Sequence, residues 1–235
     1  MQNSYKNYYC SVMLRLQTTF KADPAALKAS LTNSPLLAVL RPNSSKQAQI
    51  QVAAVAEAGF IHVELSWNSA PWWAELLLDL QKQWPHLRFG AAGISNQDQL
   101  PLISKIGISY AMAPVASAEL LITAADLGIT LVPGVFSPTE IRHFGITLAS
   151  ASGLVKLFPA ASLGPAYWRQ LKGPLSPLPF CIAAGGIAVK DVPSWFDAGV
   201  QAVALGSSLF DSCDCLWPGY AEILAPFVVT KPNNN

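Results

Sequence analysis

The chain has 235 residues, of which 51% are hydrophobic and 12% charged, and its formal net charge at pH 7 is +1. This length fits one large α/β barrel or two small domains, and the composition allows a large buried core. Because the charge is nearly balanced and no basic stripe is present, neither nucleic acid nor an anionic membrane surface is an expected partner. The mean hydropathy of +0.33 is high for a soluble monomer and suggests a homo-oligomer.

The two ends of the chain differ in character from the middle. Residues 1–21 have no sustained apolar segment and no small-residue cleavage site, so we expect a loosely ordered extension rather than a secretory signal. Residues 22–229 are predicted to form a single domain, and the polar residues 230–235 a frayed tail. No apolar stretch reaches the roughly 18 residues of a membrane span, so the protein is expected in the cytoplasm, away from membranes.

From residue 36 onward, short apolar runs alternate with amphipathic stretches. The apolar runs have the length of buried strands, and there are eight of them: Leu36–Leu40, Ile61–Leu65, Leu87–Ala91, Tyr110–Ala113, Ile129–Val132, Leu154–Phe158, Phe180–Ala183 and Ala202–Leu205. The stretches between them are predicted helices: Lys46–Ala58, Pro71–Trp84, Gln97–Ile106, Ala118–Leu127, Pro138–Leu148, Gly164–Leu171 and Val189–Ala198. Eight strand–helix units in about 200 residues favour a closed (β/α)8 barrel, the TIM barrel, over an open sheet. A short helix, Pro24–Leu31, is expected to cap its N-terminal end.

Cysteines are few: Cys10, Cys181, Cys213 and Cys215. Cys181 lies in a predicted core strand and is expected to be a buried small hydrophobe. Cys213 and Cys215 form a C-x-C pair with no further Cys or His clustered near them, which is short of the four ligands of a structural zinc site. We therefore expect no metal site.

Lys156 lies in the middle of the sixth predicted strand. Burial disfavours the charged ammonium form, so its pKa is expected to fall. A lysine that is neutral near pH 7 can attack a carbonyl carbon and form a Schiff base. The alternative is a structural lysine that extends its ammonium group to the strand end or forms a buried ion pair.

Glu64 is the acidic residue inside a predicted strand, the second. In a barrel it would approach Lys156 across the interior. A carboxylate there could move the protons that carbinolamine dehydration and carbon–carbon cleavage require. The alternative is a structural ion pair between Glu64 and Lys156, which would also perturb both pKa values.

Glycine-rich turns follow the seventh and eighth strands, at Gly185-Gly186 and at Gly206-Ser207. Glycine lets backbone N–H groups approach an anion closely, and the loops after these two strands hold phosphate in many barrels. Arg41, after the first strand, could add a fixed positive charge, or it could be a rim arginine that faces solvent.

These residues belong to longer motifs: Leu37-Ala-Val-Leu-Arg-Pro-Asn-Ser44, Val63-Glu-Leu-Ser66, Val155-Lys-Leu-Phe-Pro-Ala160, Ala184-Gly-Gly-Ile187 and Leu205-Gly-Ser207. Over residues 35–212 the chain resembles the 2-keto-3-deoxy-6-phosphogluconate (KDPG) and 4-hydroxy-2-oxoglutarate (KHG) aldolases, class I aldolases on a (β/α)8 barrel. The resemblance implies a cofactor-free enzyme of carbohydrate metabolism, commonly a homotrimer. It also implies the following site residues: Lys156 as the Schiff-base lysine, Glu64 as the acid/base, Pro114 and Phe158 as walls of the keto-acid pocket, and Arg41, Gly185, Gly186 and Ser207 as the phosphate end.

The chain departs from the family pattern where relatives bind the substrate carboxylate. Ser66 takes the place of a threonine, Asn68 stands two residues later where relatives have arginine or threonine, and Gly93 replaces another threonine. The Schiff-base residues are thus retained, whereas the carboxylate donors are weaker. We expect weak affinity for the phosphorylated six-carbon substrate and useful turnover of smaller 2-oxo acids.

Three functions compete at this point. The first is a lyase that forms an imine with a 2-oxo acid and either cleaves KDPG or KHG to pyruvate and an aldehyde or, alternatively, decarboxylates oxaloacetate. The second is a non-catalytic sensor of a 2-oxo acid or phosphate. The third, a sugar-phosphate isomerase, would explain the glycine turns but not a lysine in an apolar strand.

Overall fold

The computed structural model describes residues 22–148 and 152–228. Within them, short strands alternate with helices as predicted. The strands are β1 (Leu36–Leu40), β2 (His62–Ser66), β3 (Arg88–Ala92), β4 (Tyr110–Met112), β5 (Thr130–Val132), β6 (Gly134–Val135), β7 (Leu154–Leu157), β8 (Phe180–Ala184) and β9 (Ala202–Leu205). All pairs are parallel, in the order β5-β4-β3-β2-β1-β9-β8-β7-β6. The extension 1–21 and the tail predicted at 230–235 lie outside the described residues.

The nine strands form a nearly closed barrel of eight positions, because β5 and β6 together occupy one of them. β5 matches the fifth predicted strand, Ile129–Val132, whereas β6 lies beyond its predicted end. Pro133 separates them, since proline has no N–H for the sheet ladder. Its carbonyl still accepts a hydrogen bond from the Lys156 backbone N–H at 2.9 Å, and β6 pairs with β7 while β5 pairs with β4. The predicted (β/α)8 barrel is therefore confirmed, with one strand interrupted.

The helices surround this barrel. They are α1 (Pro24–Asn33), α2 (Ser45–Glu57), α3 (Trp72–Gln83), α4 (Leu100–Lys105), α5 (Ala118–Asp126), α6 (Pro138–Arg142), α7 (Pro165–Leu171), α8 (Val192–Asp197) and α9 (Tyr220–Leu224). Short 3-10 or π turns extend several of them, so the predicted stretches 97–106, 138–148 and 189–198 are each divided. The chain continues past β9 into α9, which the sequence analysis did not predict.

Side chains from the strands fill the barrel interior, and α1 closes its N-terminal end. Leu27 and Leu31 of α1 are buried against Leu37, Leu154 and Ala202. Ser30 of the same helix shares a hydrogen bond of 2.8 Å with the ring of His62 at the start of β2. The capping helix is thus found where it was predicted, and it leaves the C-terminal end of the barrel for chemistry.

Between the barrel and its helices lies the larger apolar cluster. Trp73, Trp168 and Trp195 are among its largest fully buried side chains. Trp73 packs against Trp67 with 4.9 Å between ring centroids and donates to the Ser66 carbonyl at 2.9 Å, so these two tryptophans hold α3 on the barrel. Cys181 is fully buried in β8, as expected. None of the helices within the described ranges is both long and apolar enough to cross a bilayer.

Candidate active site

A cavity of about 250 Å³ opens at the C-terminal ends of the strands. Its lining includes seven of the predicted site residues: Arg41, Glu64, Lys156, Phe158, Gly185, Gly186 and Ser207. The fold thus brings together residues that are up to 166 positions apart, from Arg41 to Ser207. Met112 of β4 and Gly206, which follows β9, also line the cavity and were not predicted as site residues.

Lys156 is buried in β7, between Gly134 of β6 and Ile182 of β8. Only 8% of the residue is exposed. Its Nζ lies 4.6 Å from the centroid of the Phe158 ring. Burial lowers the pKa of Lys156, the negative charge of Glu64 raises it, and the charge of Arg41 lowers it again. The net fall in the pKa favours the neutral, nucleophilic amine.

Glu64 faces Lys156 from the opposite wall, because three strands separate β2 from β7 in either direction around the barrel. The residue is 1% exposed, and neither carboxylate oxygen has a hydrogen-bond partner among the described residues. Burial raises the pKa of Glu64 to about 7, against the lowering effect of the charges on Lys156 and Arg41. A carboxyl group with this pKa can both donate and accept a proton near neutral pH.

No contact ion pair joins Glu64 to Lys156. In the described part of the chain, the one pair with N–O within 4.0 Å is Lys82 with Asp79, on the surface. The alternative of a structural ion pair between Glu64 and Lys156 is therefore wrong in its simple form. Each group shifts the pKa of the other by its charge, and both line the same cavity.

Tyr110 forms part of the surroundings of Glu64, and sequence reasoning missed it. Gly90 is the register partner of Glu64 on β3, and a Cβ on Gly90 would overlap the Tyr110 ring. The ring therefore fills the space that a side chain on β3 would take. Burial and the charge of Glu64 both raise the pKa of Tyr110, so its hydroxyl stays neutral. An apolar ring beside the carboxyl group helps to keep water from it.

The loops after β8 and β9 meet Arg41 at the other end of the cavity. A Cβ on Gly206 would come within 2.9 Å of Arg41 Nη1, so this glycine leaves room for the guanidinium group. Gly185 and Gly186 have φ of +93° and +75°, in the left-handed region that glycine adopts readily. Arg41 and Ser207 are themselves exposed at this end of the cavity. The arrangement offers one fixed positive charge beside two glycine-rich turns.

Four predicted substrate-binding residues do not line this cavity: Ser66, Asn68, Gly93 and Pro114. The Asn68 side chain accepts a hydrogen bond from the Ala70 N–H at 2.8 Å, which uses its oxygen to stabilise a local turn. Gly93 has φ of +79°, and the nearest atom to a Cβ there would be Ser66 Oγ at 3.7 Å. The Pro114 carbonyl packs against Gly134 instead. Ser66 and Gly93 therefore adjoin each other just outside the cavity.

The family model and the curated relatives that match this chain agree on one family. A family model described as KDPG and KHG aldolase matches residues 27–225. The 2-dehydro-3-deoxy-6-phosphogalactonate aldolase of Escherichia coli is 31% identical over 179 residues, which cover 76% of this chain and 86% of the relative. The 2-dehydro-3-deoxy-phosphogluconate aldolase of Pseudomonas aeruginosa is 34% identical over 119 residues, 49% of this chain and 51% of the relative.

Solved structures agree on the fold. A KDPG aldolase from Legionella pneumophila, with pyruvate captured as a covalent carbinolamine, superposes with a TM-score of 0.72 at 22% sequence identity. The match covers 88% of this chain and 98% of the Legionella chain. These relatives are aldolases, which are carbon–carbon lyases, so an enzyme is favoured over a sensor or an isomerase. Given a family match over residues 27–225 and a curated relative 31% identical, the chain belongs to the KDPG and KHG aldolase family.

Proposed function

We propose that this aldolase cleaves a phosphorylated six-carbon 2-keto-3-deoxy sugar acid to pyruvate and a three-carbon aldehyde phosphate. The observation that carries the proposal is one cavity with a buried lysine at one end and Arg41 with two glycine-rich turns at the other. The two curated relatives differ in the sugar acid that their names give, phosphogalactonate or phosphogluconate. The proposal therefore covers both epimers.

Lys156 is the nucleophile in this proposal. Its neutral amine attacks the C2 carbonyl, and loss of water from the carbinolamine gives an iminium ion. Burial supports the role, because it lowers the pKa of Lys156 and so raises the neutral fraction near pH 7. The iminium ion then accepts the electron pair when the C3–C4 bond breaks, and the resulting enamine takes up a proton before hydrolysis releases pyruvate.

Glu64 moves the protons. Its protonated form can donate to the leaving hydroxyl of the carbinolamine, and its carboxylate can then accept the proton of the C4 hydroxyl as the aldehyde leaves. Both forms are populated when the pKa is about 7. Because neither oxygen has a partner within the described chain, both are available to the substrate and to water.

The end of the cavity at Arg41 is proposed to hold the phosphate. Arg41 supplies a charge-assisted contact, and the turns at Gly185-Gly186 and Gly206-Ser207 leave backbone N–H groups close to the cavity. The Ser208 hydroxyl donates to the Ile187 carbonyl at 2.7 Å, which ties one turn to the other. This pairing fixes the spacing of the two turns.

A second candidate reaction uses the same lysine on smaller 2-oxo acids, either KHG or oxaloacetate. One observation stands behind it: Asn68 is occupied in a local turn and Gly93 has no side chain, so a large 2-oxo acid has no advantage over a small one in carboxylate donors there. Such substrates would use Lys156 and Glu64 but would have no phosphate to contact Arg41.

Borohydride trapping tests the nucleophile. Incubation with pyruvate and borohydride is expected to leave a stable adduct on Lys156, located by peptide mass spectrometry. Lys156→Ala should lose both the adduct and aldol cleavage, because no other buried amine lines the cavity among the described residues. Lys156→Met, which keeps most of the side-chain volume, should lose them as well while the far-UV circular dichroism stays that of the wild type.

Lys82→Ala is the matched control, since the Lys82 side chain is 78% exposed and remote from the cavity. It should keep both adduct and turnover. Near-wild-type turnover in Lys156→Ala would refute the Schiff-base role. Tight pyruvate binding without an adduct would instead favour the non-catalytic sensor.

A further inference from the structure

The loop that follows β9 carries a motif that the aldol chemistry does not use. It is a narrow hairpin of residues 210–217, closed by a bridge between Phe210 and Leu216. The Asp211 N–H donates to the Cys215 carbonyl at 2.8 Å, and the Trp217 N–H to the Leu209 carbonyl at 2.7 Å. The C-x-C pair lies at the tip of this hairpin.

The hairpin holds its two cysteines close together. Asp211 Oδ1 accepts hydrogen bonds from the N–H groups of both Cys213 and Cys215, at 2.8 and 3.0 Å. Both residues are exposed and carry free thiols. Two residues of chain span at most about 7 Å between Cα atoms, and a turn shortens that span. The Cα atoms of the pair therefore lie within the limit of about 7 Å beyond which a disulfide cannot form without backbone movement.

A metal site does not account for the pair. Nowhere in the described ranges do three or more His, Cys, Asp or Glu side chains come together as metal ligands. Two neighbouring exposed thiols can exchange with other disulfides.

Asp214, between the two cysteines, ties the hairpin to α2. Its carboxylate accepts hydrogen bonds from the Gln47 amide at 3.0 and 2.9 Å and from the Gln51 amide at 2.7 Å. Gln51 is 7% exposed, and its Oε1 has no partner within the described chain. Asp214 thus satisfies the amide nitrogen of this buried side chain. The φ of Asp214 is +58°, a left-handed conformation that depends on the shape of the tip.

The same residues line a second cavity of about 180 Å³ beside the active site. Its lining includes Gln51, Asp211 and Asp214 together with Arg41 and Ser207. Arg41, Gly206 and Ser207 also line the active-site cavity. A displacement of Asp214 would therefore change a cavity that Arg41 also lines.

We propose that Cys213 and Cys215 form a redox modification site for low-molecular-weight disulfides, and that its oxidation weakens ligand binding at the Arg41 end of the active site. One thiolate attacks the small disulfide and releases one thiol, giving a mixed disulfide. The second thiolate then attacks the protein sulfur and releases the other thiol. The pair loses two protons and two electrons to the reagent. The new ring includes Asp214, changes its backbone torsions and withdraws its carboxylate from Gln47 and Gln51.

Glutathione disulfide is the probe for the modification itself. The full-length Cys10→Ser protein leaves Cys181, which is buried, and the pair as remaining cysteines. After treatment, the intact mass should fall by two hydrogens, and peptide mapping should join Cys213 to Cys215. Cys213→Ser in the same background should instead retain one glutathione on Cys215. Retention of glutathione without ring closure in the parent protein, or no reaction at all, would overturn the proposal.

The link to α2 is tested without reference to activity. Amide hydrogen exchange over residues 45–57 should become faster in the oxidised protein and should return to the original rate on reduction with dithiothreitol. Asp214→Ala should reproduce the faster exchange in the reduced protein. Unchanged exchange over this segment in the oxidised protein would overturn the coupling, whatever substrate the enzyme uses.

The link to the active site rests on the proposed function. In the oxidised protein the KM for the phosphorylated sugar acid should rise by about fivefold or more, a usual size for coupling between sites. The rate of pyruvate trapping on Lys156 should not change. If the enzyme with reduced cysteines shows no aldol cleavage, the proposed function is wrong, and the coupling between the hairpin and α2 is unaffected. If the enzyme is active and its KM is the same in both redox states, the coupling to Arg41 is wrong.

Discussion

At the scale of single residues, Glu64 carries the pH dependence of the reaction. Its pKa of about 7 arises from burial, so its carboxylate form is lost as the pH falls through neutrality. Cleavage needs that form as the base, so kcat/KM should decrease as the pH decreases below about 7. Glu64→Gln should lower turnover by about 10²–10⁴-fold and remove this limb of the pH–rate profile.

The control for this prediction is Glu119→Gln, in the first turn of α5 and exposed. It should leave rate and profile unchanged. If Glu64→Gln retains the wild-type turnover and profile, Glu64 is only a structural residue.

Two buried groups make opposite contributions to the pH dependence of stability. The pKa of Glu64 is raised from 4.5 to about 7, so its contribution to the free energy of unfolding is present at low pH and is lost as the pH rises. Burial and the charge of Arg88 lower the pKa of His62 from 6.5 to about 4, so the folded state is destabilised as the pH falls. In the wild type the two effects partly cancel.

Substitution of Glu64 should leave the contribution of His62 to the pH dependence of stability uncompensated. Between pH 4.5 and 6.5, the window that the two shifts share, Glu64→Gln should show a free energy of unfolding that rises with pH more steeply than that of the wild type. Urea unfolding at several pH values in this window measures the slope. Identical slopes in the two proteins would mean that Glu64 is not protonated in the folded state.

At the scale of elements, β3 and β4 fit together through a glycine and a tyrosine. A Cβ on Gly90 would overlap the Tyr110 ring, and the ring is fully buried. Gly90→Ala should therefore lower the free energy of unfolding by about 1–3 kcal/mol, the usual cost of overpacking. Gly173→Ala is the matched control, because a Cβ there meets no atom within 4 Å. Equal stabilities of the two variants in urea unfolding would contradict this account.

The loop after β3 limits how the site can be altered. Threonine at position 93 would restore a family feature, and Ser66 Oγ at 3.7 Å leaves space for it. The obstacle is the backbone, since φ of +79° costs a non-glycine residue roughly 1–2 kcal/mol. Gly93→Thr is therefore expected to improve substrate affinity only if the loop changes its conformation as well.

Local patterns were sufficient to predict the strands and the two central side chains. Lys156 and Glu64 stand out because a charge inside an apolar run is visible in the sequence, and the barrel then places them on opposite walls. The interruption at Pro133, the Tyr110 ring beside Gly90 and the link from Asp214 to Gln51 depend on contacts between distant segments. No local pattern encodes such contacts, so these features emerged only from the structure.

At the scale of the whole molecule, the number of subunits stays a prediction. The resemblance implies a homotrimer, and six large apolar side chains are exposed in the described part of the monomer: Ile50, Val115, Ile122, Phe136, Ile146 and Trp217. They are spread over several elements, so exposure alone does not define one interface.

The cavity as a whole decides which substrate the enzyme prefers. Arg41 shares it with Lys156, whereas Ser66, Asn68 and Gly93 do not line it. A phosphorylated substrate gains a charge-assisted contact with Arg41, which is worth roughly 1.5–3 kcal/mol. The two phosphorylated sugar acids should therefore have higher kcat/KM than KHG or oxaloacetate, although their KM stays high because the carboxylate donors are weak.

The substitution Arg41→Ala separates the contribution of the phosphate contact from that of the carboxylate donors. It should lower kcat/KM for the phosphorylated substrates by about tenfold to a hundredfold more than for the smaller acids, the factor that corresponds to such a contact. The smaller acids should lose only the lowering effect of the Arg41 charge on the pKa of Lys156. Arg142→Ala, on the exposed end of α6, is the matched control and should affect neither class. Steady-state kinetics on all four substrates measure both effects. An equal loss of kcat/KM for all four substrates would mean that Arg41 acts at the reacting carbon, together with Lys156 and Glu64. A higher kcat/KM of the wild type for oxaloacetate than for either sugar acid would make decarboxylation the main activity.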